Sequence, residues 1–254
     1  HALERIMKSY ESKGLKAIAA TEMEFYLIDE RKTSLLPPIN PISGQRLSTP
    51  NVLGISELDC FDDFFNDLQN GCEQMGITVQ SVTSESGCGQ FEVTLKHCDA
   101  LTASDDAWLF KLLTKGLARK HGIAATFMAK PYLQDAGNGM HIHFSIIDRN
   151  GDNIFNNNKN EGSKLLKSAV AGCLQCIQGS TLIFAPFKRP LTLAFIYPSF
   201  NLSFAPNFSN PNRWRSTGLA PIAHPPGKET LAFPSLAKSG PRTKIEARIF
   251  LTIS

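Results

Sequence analysis

No apolar run in this chain approaches the ~18 residues of a membrane helix, so no membrane partner is expected. Nothing at its start reads as a secretory signal. It has no GxxxxGK[ST] loop and no GxGxxG, so neither common phosphate-cradling signature is available as an argument. The six cysteines (Cys60, Cys72, Cys88, Cys98, Cys173, Cys176) form no zinc-type double pair. Cys173 and Cys176 sit on an apolar helical pattern and read as core. A reduced, cytoplasmic chain is expected. Net charge is only +3, too little to argue for nucleic acid. Acid is missing altogether from residues 162–228, which carry seven Lys or Arg. Composition alone leaves a solvated basic loop region and an anion-binding wall equally open. Residues 186–241 hold ten of the fifteen prolines, which disfavours long regular elements there.

What is present is enough for a sizeable core. With 254 residues, 42% of them hydrophobic, the chain suits one large core or two small domains. It opens on His1, not Met, and a processed, tagged or excised piece is expected. The most informative stretch is residues 137–147, GNGMHIHFSII. After its glycines, Met140, Ile142, Phe144 and Ile146 alternate with His141, His143 and Ser145. That period predicts a half-buried strand with both histidines and the serine on one face.

Three other strands share the oddity of charged or polar groups on an otherwise apolar element. Residues 16–28, KAIAATEMEFYLI, put Glu22 and Glu24 on one face and Ala19, Thr21, Met23, Phe25 and Leu27 on the other. Carboxylates ~6.6 Å apart on a strand repel by roughly 2.5 kcal/mol at an effective dielectric of ~20. Solvation or bound cations would relieve that repulsion. In residues 84–95, SESGCGQFEVTL, Phe91, Val93 and Leu95 alternate with Gln90, Glu92 and Thr94, and Glu85 precedes a glycine-bearing turn. In RTKIEARIF, Ile245, Ala247 and Ile249 oppose Arg242, Lys244, Glu246 and Arg248. Helices are expected near the start, over residues 58–75, 104–121 and 161–179, with further strands at 77–82 and 123–129. Five carboxylates (Glu22, Glu24, Glu85, Glu92, Glu246) and His141 are hard, oxygen-rich ligands, suited to Mg²⁺ or Mn²⁺ more than to zinc or copper. Two such ions with Arg and Lys nearby suit a nucleoside triphosphate and phosphoryl transfer.

The motifs TEMEF, ESGCGQFEV, GNGMHIHFS and KIEAR, in this order and at these separations, resemble the catalytic domain of glutamine synthetase and its relatives that ligate glutamate to amines. The resemblance implies an α+β fold, a curved and mainly antiparallel sheet forming a metal-lined funnel with helices on its outer face. It implies that residues 1–254 are one catalytic domain, lacking the family's N-terminal β-grasp domain and its C-terminal end. Glu24, Glu85 and Glu92 would hold one metal ion, and Glu22, His141 and Glu246 a second. His143, Ser145 and Lys244 would lie toward ATP. Gly137, Asn138 and Gly139 would form the loop that touches glutamate. Arg248, with Arg213 or Arg215 (or Arg189 on the other alignment of the ragged segment), would face the transferred phosphoryl group. The implied reaction is ATP-dependent ligation of glutamate to ammonia or a small amine through γ-glutamyl phosphate, in a homo-oligomer with shared sites.

Three departures qualify that reading. Residues 188–240 match the family raggedly, with Phe184-Ala185-Pro186 and Phe204-Ala205-Pro206 resembling one family segment twice. Lys228-Glu229-Thr230 stands where the family shows Asn-Arg-Thr. The acid-free run offers no flap carboxylate to take a proton from the amine. A relative that binds metal and ATP without ligating is therefore the alternative reading.

Overall fold

The computed structural model describes residues 2–29, 31, 34–157, 162–184, 199–204 and 247–252. The alternating stretch after helix α1 (Ala2–Glu11) forms one strand, β1 (Lys16–Ile28). Around it assembles an antiparallel sheet ordered β2 (Val79–Ser84), β3 (Gln90–Leu95), β1, β6 (Met140–Ile147), β8 (Ala247–Thr252) and β7 (Ser199–Phe204). Two short strands, β4 (Cys98–Asp99) and β5 (Ala124–Thr126), also pair with β1. β1 is thus paired along both edges: with β6 then β5 on one side, and with β4 then β3 on the other.

The apolar face of β1 packs under helices α3 (Asp62–Gln74) and α4 (Ala100–Lys120). Met23, Phe25 and Leu27 join Phe91 and Val93 of β3, Phe64 and Leu68 of α3, and Ala107 and Phe110 of α4. Phe25, Phe91 and Phe110 are fully buried. Phe25 and Phe91 lie 6.3 Å apart between ring centres, and Phe25 and Phe110 meet edge-on at 6.4 Å. Burial at roughly 1.5–3 kcal/mol per large apolar side chain makes this face the main stabilising layer. The helices here lie opposite the face that carries Glu22 and Glu24, an α+β arrangement. No helix among the described residues is long and apolar enough to cross a membrane.

Local boundaries differ from the periodic reading where capping and tertiary contacts intervene. The helix expected over residues 58–75 is two, α2 (Ile55–Cys60) and α3, broken at Phe61. Phe61 is buried at the break and meets Phe91 edge-on at 5.8 Å. α4 begins earlier than expected because the Asp99 carboxylate caps it, accepting from the Leu101 N–H at 3.0 Å. The last helix, α5 (Lys164–Phe184), runs through Gly179. Leu166 anchors it against Ile146 and Phe155. Cys176 is exposed on it and Cys173 half-buried, so neither is the core cysteine that its pattern suggested; the fully buried one is Cys72.

The turn between β2 and β3 is pinned from three sides. Cys88 N–H donates to Asp135 Oδ2 at 2.9 Å, and Gly87 N–H donates to Gln90 Oε1 at 2.9 Å. Gly89, at φ +78°, lies against Leu27 and Pro38. Gly87 leaves room for the buried Tyr26 ring, whose hydroxyl donates to the Ala136 carbonyl at 2.7 Å. A Cβ at Gly87 would overlap that hydroxyl. Gly87→Ala is accordingly expected to cost about 1–3 kcal/mol by overpacking. That lowers the melting temperature by several degrees at the ~2–4 °C per kcal/mol of a chain this size, which thermal unfolding followed by circular dichroism would record.

Candidate metal centre

The face of β1 turned away from the helices carries the acids. Glu22 stands opposite His141 in β6, and Glu24 stands opposite Glu92 in β3. Glu22 Oε2 lies 2.8 Å from His141 Nδ1, and Glu22 Oε1 lies 2.5 Å from His143 Nε2. The same His141 nitrogen is 3.9 Å from Glu24 Oε1 and 3.8 Å from Glu92 Oε2. One potential ligand atom each from Glu22, Glu92 and His141 falls within 4.8 Å of the others. All four side chains are at least four-fifths shielded from solvent.

Glu85 reaches the same cluster from the pinned turn. Burial, then the nearby charges of Glu92 and Glu24, push its carboxyl up to about 7. Burial also raises Glu24, against the hydrogen bond from Gly139 N–H. Burial alone would raise Glu22, yet hydrogen bonds with His141 and His143 outweigh it and hold Glu22 down near 2. His141 moves the other way: burial disfavours its charge, but the Glu22 and Glu92 carboxylates overcome that and lift it to about 10. The His141 imidazole therefore balances part of the negative charge.

The loop before β6 closes the site from one side. Gly139 N–H donates to Glu24 Oε2 at 2.9 Å. Gly137 presents its carbonyl to Gln90 Nε2 at 2.9 Å. Asn138 is buried, with its amide donating to the Thr126 and Met128 carbonyls. Its side chain braces the loop from within. Ser145 lines a small cleft with His143 and His97. On β8 the backbone of Arg248 pairs with His143. Arg189, Arg213, Arg215, Lys244 and Glu246 lie outside the described residues.

Sequence reading passed over Gln90, although it shares a strand face with Glu92 two residues on. It also passed over Asp135, whose carboxylate holds Cys88 N–H and Ala136 N–H, each at 2.9 Å. Their local pattern does not show these roles, because the partners that define them lie 47 or more residues away.

Two outcomes follow from this geometry. Glu85, Glu24 and His141 all have folded-state pKa values raised above their unfolded ones. Their stabilisation is full below the unfolded values and is lost as pH rises through the folded ones. The opposite case, Glu22, is lost only as pH falls toward about 2. In the metal-free chain, the melting temperature should therefore fall between pH 5 and pH 8, where only the raised groups change. A Cβ on Gly139 would stand 2.9 Å from Glu24 Oε1 and 3.2 Å from His141 Nε2. Gly139→Ala should fold, since only side-chain ends must give, yet weaken Mn²⁺ binding measured by titration calorimetry by about tenfold.

Comparison with known proteins gives the same direction. The family model described as the glutamine synthetase catalytic domain matches residues 1–213. A γ-glutamylputrescine synthetase of Escherichia coli (strain K12) is 36% identical over 190 residues, covering 73% of this chain and 40% of that protein. A glutamate–isopropylamine ligase of a Pseudomonas species is 32% identical over 190 residues, covering 72% and 40%. A solved ADP complex of a protein named GmaS superposes with a TM-score of 0.65 at 26% identity, covering 76% of this chain and 44% of that one. The chain thus spans about two fifths of the length of these curated relatives. With a family match over most of its length, laid on the sheet face where the acids and histidines meet, the chain belongs to the glutamine synthetase family through its catalytic domain.

Proposed function

We propose that this chain carries the metal half of an ATP-dependent ligase. The ligase would join the γ-carboxyl group of glutamate to ammonia or a small amine through γ-glutamyl phosphate. The observation behind this is the convergence of Glu22, Glu24, Glu92 and His141, with Glu85 beside them, on one face of the sheet. That donor set fits Mg²⁺ or Mn²⁺, since it is mostly carboxylate oxygen and is too crowded with like charge to ionise fully alone. Glu24, Glu85 and Glu92 would hold one ion, and Glu22 and His141, with Glu246, the other. Bound there, such ions neutralise charge on the transferring phosphoryl group. The protein's own part is positioning. The glycine backbone of the 137–139 loop offers close approach to glutamate. His143, Ser145 and Lys244 face ATP in this reading. Arg248, with Arg213 or Arg215, clamps the phosphoryl oxygens as charge moves.

The substrates are ATP, glutamate and ammonia or an amine, and the names of two relatives, which carry putrescine and isopropylamine, favour an alkyl amine as acceptor. A homo-oligomer of the full-length form is part of the same proposal.

Added Mn²⁺ should raise the melting temperature, since a ligand at 100 times its Kd contributes about 2.7 kcal/mol. Glu92→Ala should remove most of that rise. The Mn²⁺ effect should grow from pH 5.5 to pH 7.5, because binding requires deprotonated carboxylates. A melting curve indifferent to millimolar Mn²⁺ would overturn the metal reading. ADP release with glutamate, measured with and without an amine, separates the two family readings. Amine-stimulated release supports the ligase. ATP binding without it supports a relative that binds metal and ATP without ligating. From the acid-free run at 162–228, this chain on its own is expected to release ADP more slowly than the ~1 s⁻¹ of a working enzyme.

A further inference from the structure

We propose that Gln90 is a positioning residue that decides which oxygen of Glu24 faces the metal cluster and ties that choice to the 137–139 loop. The inference rests on the metal reading above and adds a residue to it. Gln90 is 1% exposed, at the start of β3. Its amide orientation is fixed by its partners. Gly87 N–H can only donate, so Oε1 faces it at 2.9 Å. The Gly137 carbonyl can only accept, so Nε2 faces it at 2.9 Å. Nε2 also lies 3.1 Å from Glu24 Oε2 and 3.1 Å from Asn138 Oδ1. Its two hydrogens therefore serve three acceptors: a carboxylate of the cluster and two groups of the loop.

Glu24 Oε2 is consequently occupied by protein donors on two sides, Gln90 Nε2 and Gly139 N–H. Glu24 Oε1 is the oxygen left on the His141 side, 3.9 Å from its Nδ1. A carboxylate held this way offers one defined lone-pair direction to a cation in place of a rotating pair. The partners that hold it are the loop backbone and the turn that bears Glu85. Gln90 therefore links three parts: the turn through Gly87, the ligand through Glu24 and the loop through Gly137. Shifting the loop when a substrate arrives would alter the hydrogen bonds available to Glu24, and a cation on Glu24 would in turn stiffen the loop. Metal affinity and glutamate affinity should be coupled through this one side chain.

The test compares the 254-residue chain with Gln90→Met, which keeps the volume and removes both polar ends, and with Gln90→Glu, which keeps the acceptor for Gly87 N–H and removes the donor. Mn²⁺ binding is read by electron paramagnetic resonance titration, without and with saturating glutamate. Loss of an outer-shell partner of a ligating carboxylate weakens metal binding by about 10–100-fold, and both variants should do so. Glutamate should tighten Mn²⁺ binding in the wild type and lose that effect in both variants. Phe64→Leu, a core change on α3 remote from the cluster, controls for lost stability and should leave Mn²⁺ affinity within about twofold of wild type. Should Gln90→Met fail to fold, Gln90→Glu carries the comparison, because its shape is unchanged. A folded Gln90 variant with Mn²⁺ affinity within about twofold of wild type overturns the positioning role while leaving the metal reading intact. A wild-type chain that binds no Mn²⁺ overturns both.

Discussion

Two carboxylates facing each other across neighbouring strands set the terms for this structure. Glu24 on β1 and Glu92 on β3 are cross-strand partners. Like charges in that relation destabilise a sheet, and at ~5.5 Å with an effective dielectric of ~20 they repel by about 3 kcal/mol. On the other face of the same two strands lie Phe25 and Phe91, both fully buried. Two such side chains contribute roughly 3–6 kcal/mol by burial, enough to outweigh the repulsion. The period of the strand joins the two effects: a register that buries the rings must also bring the acids together. A slip of one residue would relieve the repulsion only by turning the rings into solvent.

What remains of the repulsion is managed locally. Glu22 is contacted by both His141 and His143, one at each oxygen. Glu24 is held by an amide nitrogen and a backbone N–H on a single oxygen. Glu85 is raised by burial first and then by Glu92 and Glu24, which its backbone hydrogen bond from Ser86 and the nearby His141 only partly offset. His141, a ligand by residue type, thus also acts as a counter-charge on the protein's own acids. Away from the site, buried Asp29 does similar work for the loop after β1. It accepts from Arg46 at 2.8 Å and from Arg31 at 3.1 Å, and Arg46 also reaches the Pro37 carbonyl.

Faces were far easier to read from the residues than partners. Alternation in 90–95 and 140–147, with the two-residue spacing of Glu22 and Glu24 in 16–28, placed Glu22, Glu24, Glu92, His141 and His143 on polar faces, and the structure carries them there. Periodicity could not say that β1 would sit between β3 and β6, since pairing depends on contacts distant in sequence. It also missed Gln90, because a glutamine on a polar face looks like a solvated one until its neighbours are known. The helix break at Phe61 was invisible because the apolar stripe continues across it; tertiary packing on Phe91 prevails there over helical propensity. Cys176 failed for the opposite reason, being apolar by pattern and exposed in place.

The placement of β1 between strands made much later has a consequence for how the chain acquires its shape during synthesis. Its neighbours on one edge begin at Gln90, and its longest pairing, with β6, ends at Ile147. The 119 residues from Ile28 to Ile147 take a ribosome roughly 6–24 s at 5–20 residues per second. Until Gln90 and the strand it opens are made, this thirteen-residue strand, apolar on one side, has no partner on either edge, and the stretch that β6 covers waits until Ile147. Glu22 and Glu24 sit in the middle of that strand. Before any site exists, the same two charges act as gatekeepers that keep nascent copies from pairing with one another.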